Sequence, residues 1–220
     1  MKRAGVNDEP WQSGSGRQPG MCNLYTMTAT VDEMRRVFGP FTGDTANLPP
    51  FDEIYPGQRA PVLRRDGPGL KLEMMSWGFP GPAAAKGRPV TNVRNLASPF
   101  WRSAIASPER RCIVPVTRFC EWTGEVGAKR KIWFGLKAEA DPLFAFAGIW
   151  RPGDGGPFMA FLTCEANATV GAVHPKAMPV MLRPGDAGRW LEGEREQACA
   201  LAVPFEDADM RVLDPVGARE

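Results

Sequence analysis

The sequence predicts a compact, β-rich α+β domain of barrel-like antiparallel sheets with short flanking helices, and three observations lead there. Among 220 residues, 24 are glycine and 22 are proline, so the chain is punctuated too often for long helices. Hydrophobic residues make up 43% of the chain, enough for one core at this length. Apolar or alternating runs of strand length recur between residues 59 and 183, whereas three short segments carry helix start and stop signals.

Taken in order, residues 1–20 (MKRAGVNDEPWQSGSGRQPG) are polar, rich in Gly, Ser and Gln, and expected to be disordered. Met21 then marks either a later translation start or the end of a processed leader, which leaves 22–220 as the domain. Thr30 and Glu33 form a capping box for a helix whose apolar face is Val31, Met34, Val37 and Phe38, stopped by Gly39. The proline-rich stretch 41–58 reads as loop. Strands are expected at 59–65 and 70–79, followed by a Gly/Pro/Ala loop at 80–91. Ser98-Pro99 reads as the start of a helix through about 106. Further strands are expected at 111–117, 131–137, 144–150, 158–165, 177–183 and 210–214, with a helix between Asp186 and Gly193 that holds Trp190 and Leu191.

Composition also excludes. The formal charge is +2, and residues 1–21 carry three basic and two acidic side chains, so the chain from Cys22 on has a charge of +1. Totals therefore do not announce a nucleic-acid binder; a basic groove has to come from local clustering. No run approaches the roughly 18 apolar residues that span a bilayer. The N-terminus lacks the apolar run of a signal peptide. Five cysteines at 22, 112, 120, 164 and 199 form no CxxC pair, and His174 is the one histidine, so neither a disulfide framework nor a metal site is expected. An odd cysteine count without a secretion signal fits a reducing cytoplasm.

Four residues carry candidate chemistry. Were Cys22 exposed as an N-terminal residue, it would hold an amine and a thiol on adjacent carbons. Their ordinary pKa values, about 8 and about 8.5, leave both usable near neutrality. An aldehyde condenses with such an amine to an imine, and the thiol closes a five-membered thiazolidine with the advantage of an intramolecular step. The alternative is a buried strand cysteine in CNLYTMT. Asn92, in Thr91-Asn92-Val93-Arg94-Asn95, can orient an amine or carbonyl, and Arg94 can hold a phosphate; turn chemistry before a helix is the other reading. Glu121 follows an apolar run and precedes Trp122, a setting that raises a carboxyl pKa, unless it is a solvent-facing strand residue. His174 is a natural proton shuttle, or a surface or core histidine.

No single signal is specific, but their order is. Met21-Cys22 followed by an aromatic, Tyr55-Pro56-Gly57-Gln58, Ser76-Trp77-Gly78, Asn92-Val93-Arg94, Arg111-Cys112-Ile113-Val114-Pro115 leading to Phe119-Cys120-Glu121-Trp122, and His174 before Met178-Pro179-Val180 together resemble the SOS-response-associated peptidase family of abasic-site processing proteins. The resemblance covers about 22–192. It implies a β-rich α+β domain with a basic groove for single-stranded DNA, and an N-terminal cysteine that forms a thiazolidine with the opened sugar of an abasic site. Cys22 is then the nucleophile and Asn92 positions its amine or the opened sugar. Glu121 handles protons, and His174 promotes sugar opening and assists reversal. Arg94 contacts the DNA backbone, and Trp77 forms the groove wall or packs in the core. The same site removes the residue before the cysteine, here by cleaving Met21–Cys22, a hydrolase activity beside possible lyase-type chemistry.

The resemblance further implies single-stranded DNA with abasic sites as partner, no cofactor, a monomer, and a cytoplasmic location that is nucleoid-associated when DNA is bound. Three departures stand out. Asn23-Leu24 replaces a common Gly-Arg, which removes one expected phosphate contact. Leu96 stands where a Glu is common, and Lys176-Ala177 replaces a single Arg before Met-Pro. A peptidase of peptide substrates and a non-catalytic single-strand binding module are the competing readings.

Overall fold

The computed structural model describes residues 22–43, 48–81, 89–125, 127–137 and 143–213. Met21 and the leader before it, and most of the loop expected at 80–91, lie outside the described residues. Five strands, β1 (Tyr25–Met27), β3 (Phe51–Ile54), β8 (Arg118–Thr123), β9 (Arg130–Leu136) and β14 (Met210–Leu213), form an antiparallel sheet in the order β14-β9-β8-β1-β3. The larger sheet holds β2 (Phe41–Gly43), β4 (Arg59–Asp66), β5 (Gly69–Trp77), β6 (Asn92–Val93), β7 (Arg111–Val116), β10 (Phe144–Arg151), β11 (Phe158–Cys164), β12 (Met178–Pro179) and β13 (Met181–Leu182). Its path is β12-β11-β10-β7-β4-β5-β2, with β13 against β10 and β6 against β11. The end of β5 returns to β11 through the parallel pairs Ser76↔Phe158 and Trp77↔Met159, so this sheet curls on itself in a barrel-like way.

The two sheets meet over aromatic side chains. Tyr25 and Phe119 of the smaller sheet pack on Trp77, Phe146 and Phe161 of the larger, with Tyr25–Trp77 centroids 5.1 Å apart and Phe119–Phe146 centroids 5.9 Å apart. Such edge-on pairs add to what burial of the rings already contributes. Strands β4 and β5 form a hairpin whose two-residue loop, Gly67-Pro68, needs the positive φ of +59° that Gly67 supplies.

Helices flank the sheets as α1 (Val31–Phe38), α2 (Arg102–Ala106), α3 (Ala168–Gly171), α4 (Ala187–Glu192) and α5 (Arg195–Cys199). The capping box of α1 forms as expected: Glu33 N–H donates to Thr30 Oγ1 at 3.2 Å, and Thr30 N–H donates to Glu33 Oε2 at 2.6 Å. Thr30→Ala is expected to lower the unfolding free energy by about 1 kcal/mol, read from urea denaturation; an unchanged midpoint would mean that α1 is held by packing of Met34 alone.

Several expectations are corrected. The stretch 41–58 is not all loop, because β2 pairs β5 and β3 pairs β1; three- and four-residue strands exist through distant partners, not through a local pattern. Ser98-Pro99 does not start the helix: Ser98 C=O accepts from Trp101 and Arg102 N–H in a turn, and α2 begins at Arg102. Asp186 precedes α4 without capping it, its carboxylate lying 3.7 Å from Arg189 instead. The strand expected at 177–183 is two strands interrupted at Val180. There Val180 N–H donates to Leu162 C=O while its own carbonyl accepts from Ala147 N–H, wedging the segment between β11 and β10. Helices α3 and α5, at four and five residues, are too short to leave a periodic signature.

Candidate active site

Cys22 lies just before β1 and is 1% exposed. Its thiol faces Leu24 C=O at 3.6 Å, and that carbonyl also accepts from Cys120 N–H of β8 at 2.9 Å, pinning the segment to the smaller sheet. Asn23 adds a second pin, its Oδ1 accepting from Trp122 Nε1–H at 2.9 Å. Leu24, which stands where the family commonly has an arginine, is fully buried, so this segment serves as a structural tie. Burial pushes the Cys22 thiol well above its ordinary pKa; the Glu121 charge pushes the same way, and the Leu24 backbone opposes both.

Asn92 reaches Cys22 from the larger sheet. Strand β6 runs parallel to β11, pairing Asn92 with Phe161. Trp77 and Gly78 hold the segment that leads into it: Trp77 Nε1–H donates to Thr91 C=O at 3.1 Å. A Cβ on Gly78 would stand 2.9 Å from Pro89 Cβ and 3.3 Å from Thr91 Cγ2, and φ is +122° there, so only glycine lets the segment approach. Asn92 Nδ2–H donates to Cys22 C=O at 3.3 Å and to Thr91 Oγ1 at 3.0 Å, while its buried Oδ1 has no protein partner.

Glu121 arrives through a corner. The apolar run 111–122 passes from one sheet to the other, as β7 in the larger and β8 in the smaller. Thr117 makes the turn, its N–H donating to Thr26 C=O at 2.9 Å and its hydroxyl lying 2.7 Å from that of Thr26. Glu121 consequently points inward at 2% exposure, not toward solvent. Burial raises its pKa to about 8, and a hydrogen bond from the Cys22 backbone N–H pulls it partly back. Its Oε1 has no protein partner. Buried polar atoms without partners are rare, and when they gather around one residue they mark a place where a reacting group is accommodated.

His174 is 8% exposed on the segment between α3 and β12, held by a bond from its backbone N–H to Val170 C=O at 2.8 Å. Neither ring nitrogen has a protein partner, so no direct hydrogen bond joins it to Cys22, Asn92 or Glu121. Burial lowers its pKa and the Lys176 charge adds to that, which keeps the imidazole neutral near pH 7. The segment is positioned by residues that gave little sequence signal. Asn167 Oδ1 caps α3 through Val170 N–H at 2.9 Å, and Asp207 accepts from Ala168 and Thr169 N–H. An Asn immediately before a short apolar segment is the one local cue.

Arg94 is exposed and one guanidinium N–H donates to Cys164 C=O, leaving other donors free. Trp77 is fully buried, so it packs in the core and shapes the site through Thr91 instead of walling a groove. Met21 lies outside the described residues. Beside Glu121, Trp122 and Tyr55 share Lys131, whose Nζ lies 5.8 Å and 6.0 Å from their ring centroids. Among the described residues no cluster of three or more His, Cys, Asp or Glu is placed to hold a metal ion, and no helix is long and apolar enough to cross a membrane.

Comparison with known proteins gives the family and the fold. The chain is 27% identical to the Bacillus subtilis protein named abasic site processing protein YoqW over 206 residues, 86% of this chain and 90% of that one. It is also 27% identical to the B. subtilis abasic site processing protein YoaM over 208 residues, 86% of this chain and 88% of that one. The fold matches a crystal structure of a Bacteroides thetaiotaomicron protein with a TM-score of 0.72 at 22% identity, covering 87% of this chain and 90% of that one. It matches one from Bordetella bronchiseptica with a TM-score of 0.71 at 20% identity, covering 88% and 100%. The sequence profile described as SOS response associated peptidase (SRAP) matches residues 21–218, essentially all of the region that builds the two sheets and the Cys22 constellation, and the chain belongs to that family.

Proposed function

We propose that the protein processes abasic sites in single-stranded DNA, capturing the opened sugar covalently through Cys22 once the residue before it has been removed. The observation that carries this reading is where the polar groups gather. Glu121 faces the Cys22 nitrogen and Asn92 the Cys22 carbonyl, while the thiol meets only backbone groups, of Leu24 and Cys120. A peptidase acting on other chains needs a base on its sulfur to make a thiolate. Here His174 makes no bond to the thiol, and burial holds the thiol protonated. Chemistry centred on the nitrogen suits an aminothiol meeting an aldehyde. The names of the B. subtilis relatives point the same way.

The steps follow from these positions. Neutral His174 takes the proton of the C1 hydroxyl as the bond from C1 to the ring oxygen breaks, and returns it to that oxygen, which becomes a hydroxyl as the aldehyde forms. The Cys22 amine, oriented by Asn92, adds to the aldehyde carbon, and a proton passes from nitrogen to the new hydroxyl. Glu121, protonated at neutral pH because its pKa is about 8, gives its proton to that hydroxyl, which leaves as water. The Cys22 sulfur then adds to the carbon of the resulting iminium, and the thiol proton returns to Glu121. The product is a thiazolidine, with one water lost overall. Exposure of the amine by cleavage of Met21–Cys22 uses the same Glu121 beside the same nitrogen. One chain supplies Cys22, Asn92 and Glu121, so a monomer suffices and no cofactor is required.

Incubation with single-stranded DNA holding one abasic site is expected to give a heat-stable band on a denaturing gel, with no cleavage of peptides in trans. Peptide cleavage without a DNA band would favour the peptidase. Arg94→Ala is expected to weaken DNA binding mainly at low salt, lowering the slope of log affinity against log salt by about 0.7. An unchanged slope would remove Arg94 from the DNA path.

A further inference from the structure

A cleft of about 500 Å³ opens beside α2 and the end of β10, lined by Ser103, Ala104, Ser107, Arg110, Arg151 and Pro152. No acidic side chain lines it. Both guanidinium groups are held by aromatic rings: Arg110 Cζ lies 5.0 Å from the centroid of Trp150, and Arg151 Cζ lies 4.8 Å from those of Phe79 and Phe100. Arg151 also donates one N–H to Phe100 C=O. Among the described residues no carboxylate pairs with either arginine, and neither serine hydroxyl makes a hydrogen bond. Arg64 shows the contrast. It shares the Trp150 ring at 4.9 Å but is neutralised by Glu73 at 2.7 Å and Asp66 at 3.3 Å.

Two cations fixed by stacking, with all but one of their side-chain hydrogen-bond donors uncommitted to protein acceptors and two hydroxyls beside them, make a receptor for a tetrahedral oxyanion. Stacking restrains the long side chains in advance, so less freedom is lost when an anion arrives. We propose that this cleft is a phosphate subsite that takes a phosphodiester of the strand whose abasic nucleotide is held at Cys22. The openness of the site at exposed Ser103 favours a phosphate within a polymer over an enclosed free ion. Its scaffold is also that of the active site. Phe79 directly follows the Gly78 that admits the Asn92 segment, and the chain runs from Asn92 and Arg94 through Phe100 into α2. The proposal rests on the single-stranded DNA reading and extends it to residues outside the Cys22 constellation.

The test measures binding of an undamaged single-stranded oligonucleotide by fluorescence anisotropy across a salt series, for the full chain and for Arg110→Gln, Arg151→Gln and the double variant. Each single variant is expected to lower the log–log salt slope by about 0.7 and the double by about 1.4, while Arg110→Lys and Arg151→Lys keep the slope near that of the parent. Ser103→Ala with Ser107→Ala is expected to weaken binding at every salt concentration without changing the slope. Unchanged slopes in the glutamine variants overturn the proposal. So does binding of inorganic phosphate by calorimetry that needs both arginines while the DNA slope stays unchanged, since the cleft would then serve a free anion. Thermal unfolding checks each fold; if Arg151→Gln fails to fold, Arg110→Gln, whose side chain makes only the Trp150 contact, decides alone. A parent protein that neither binds single-stranded DNA nor captures an abasic site fails the functional reading itself, whereas a parent that does both beside glutamine variants of unchanged slope fails only this subsite.

Discussion

Cys22→Ala is expected to abolish the heat-stable DNA adduct, the largest effect the account predicts. The alanine variant keeps an amine at the same place once exposed, so it can still form an imine, but it has no sulfur to close the ring. An imine is hydrolysed on heating; a thiazolidine is held by two bonds formed within one residue, a geometry whose effective molarity reaches about 10⁵ M. Borohydride should therefore trap a DNA adduct with Cys22→Ala, whereas without reductant none should survive heat. Because Cys22 is buried, the substitution also leaves a small cavity, so unfolding should be measured in parallel. A heat-stable adduct of unchanged yield would assign capture to another nucleophile. Cys120 and Cys164 are poor candidates, since each is internal to the chain, has an amide in place of an amine, and cannot close a thiazolidine.

Glu121→Gln is the second large effect, and it should appear in both stability and rate. The folded-state pKa of about 8 lies above the ordinary glutamate value of 4.5, and burial is the cause. Between those values the folded chain binds more protons than the unfolded one, so this group makes stability fall as pH rises from about 4.5 to about 8 and level off beyond. The glutamine variant is neutral throughout and should lack that component. At pH 8 it should be the more stable protein, by on the order of a few kcal/mol, and near pH 4.5 the two should converge. The capture rate should fall about 10²- to 10⁴-fold, the usual range for loss of a general acid. Parallel pH profiles of stability for the two proteins would mean that Glu121 is ionised in the fold, and its role as proton donor would be withdrawn.

What the sequence made legible follows the range of each signal. The capping box at Thr30 and Glu33 is complete within four residues, and it formed as read. Strands β4, β5, β10 and β11 have seven to nine residues, long enough for pattern to show. The corner at Thr117 was not legible. The strand expected at 111–117 stops there, but β8 (Arg118–Thr123) was not expected, because its place in the other sheet depends on partners such as Thr26, ninety-one positions from Thr117. That corner turns Glu121 inward, so the solvent-facing reading could only be set aside once the sheets were known. Trp77 was ambiguous for a related reason: a tryptophan before a glycine suits a groove wall and a core equally, and the bond to Thr91 C=O resolves it toward the core. The meeting of Cys22, Asn92 and Glu121 was expected from the family resemblance alone, because seventy and ninety-nine positions separate Asn92 and Glu121 from Cys22 and no local pattern spans that distance.

The central claim is covalent capture by an exposed Cys22 aminothiol, and intact mass spectrometry tests it most directly. The purified protein is measured before and after incubation with single-stranded DNA carrying one abasic site. The account predicts a chain beginning at Cys22, and after incubation a species heavier by the mass of the DNA less one water. A chain that begins at Cys22 and gains no mass would contradict it.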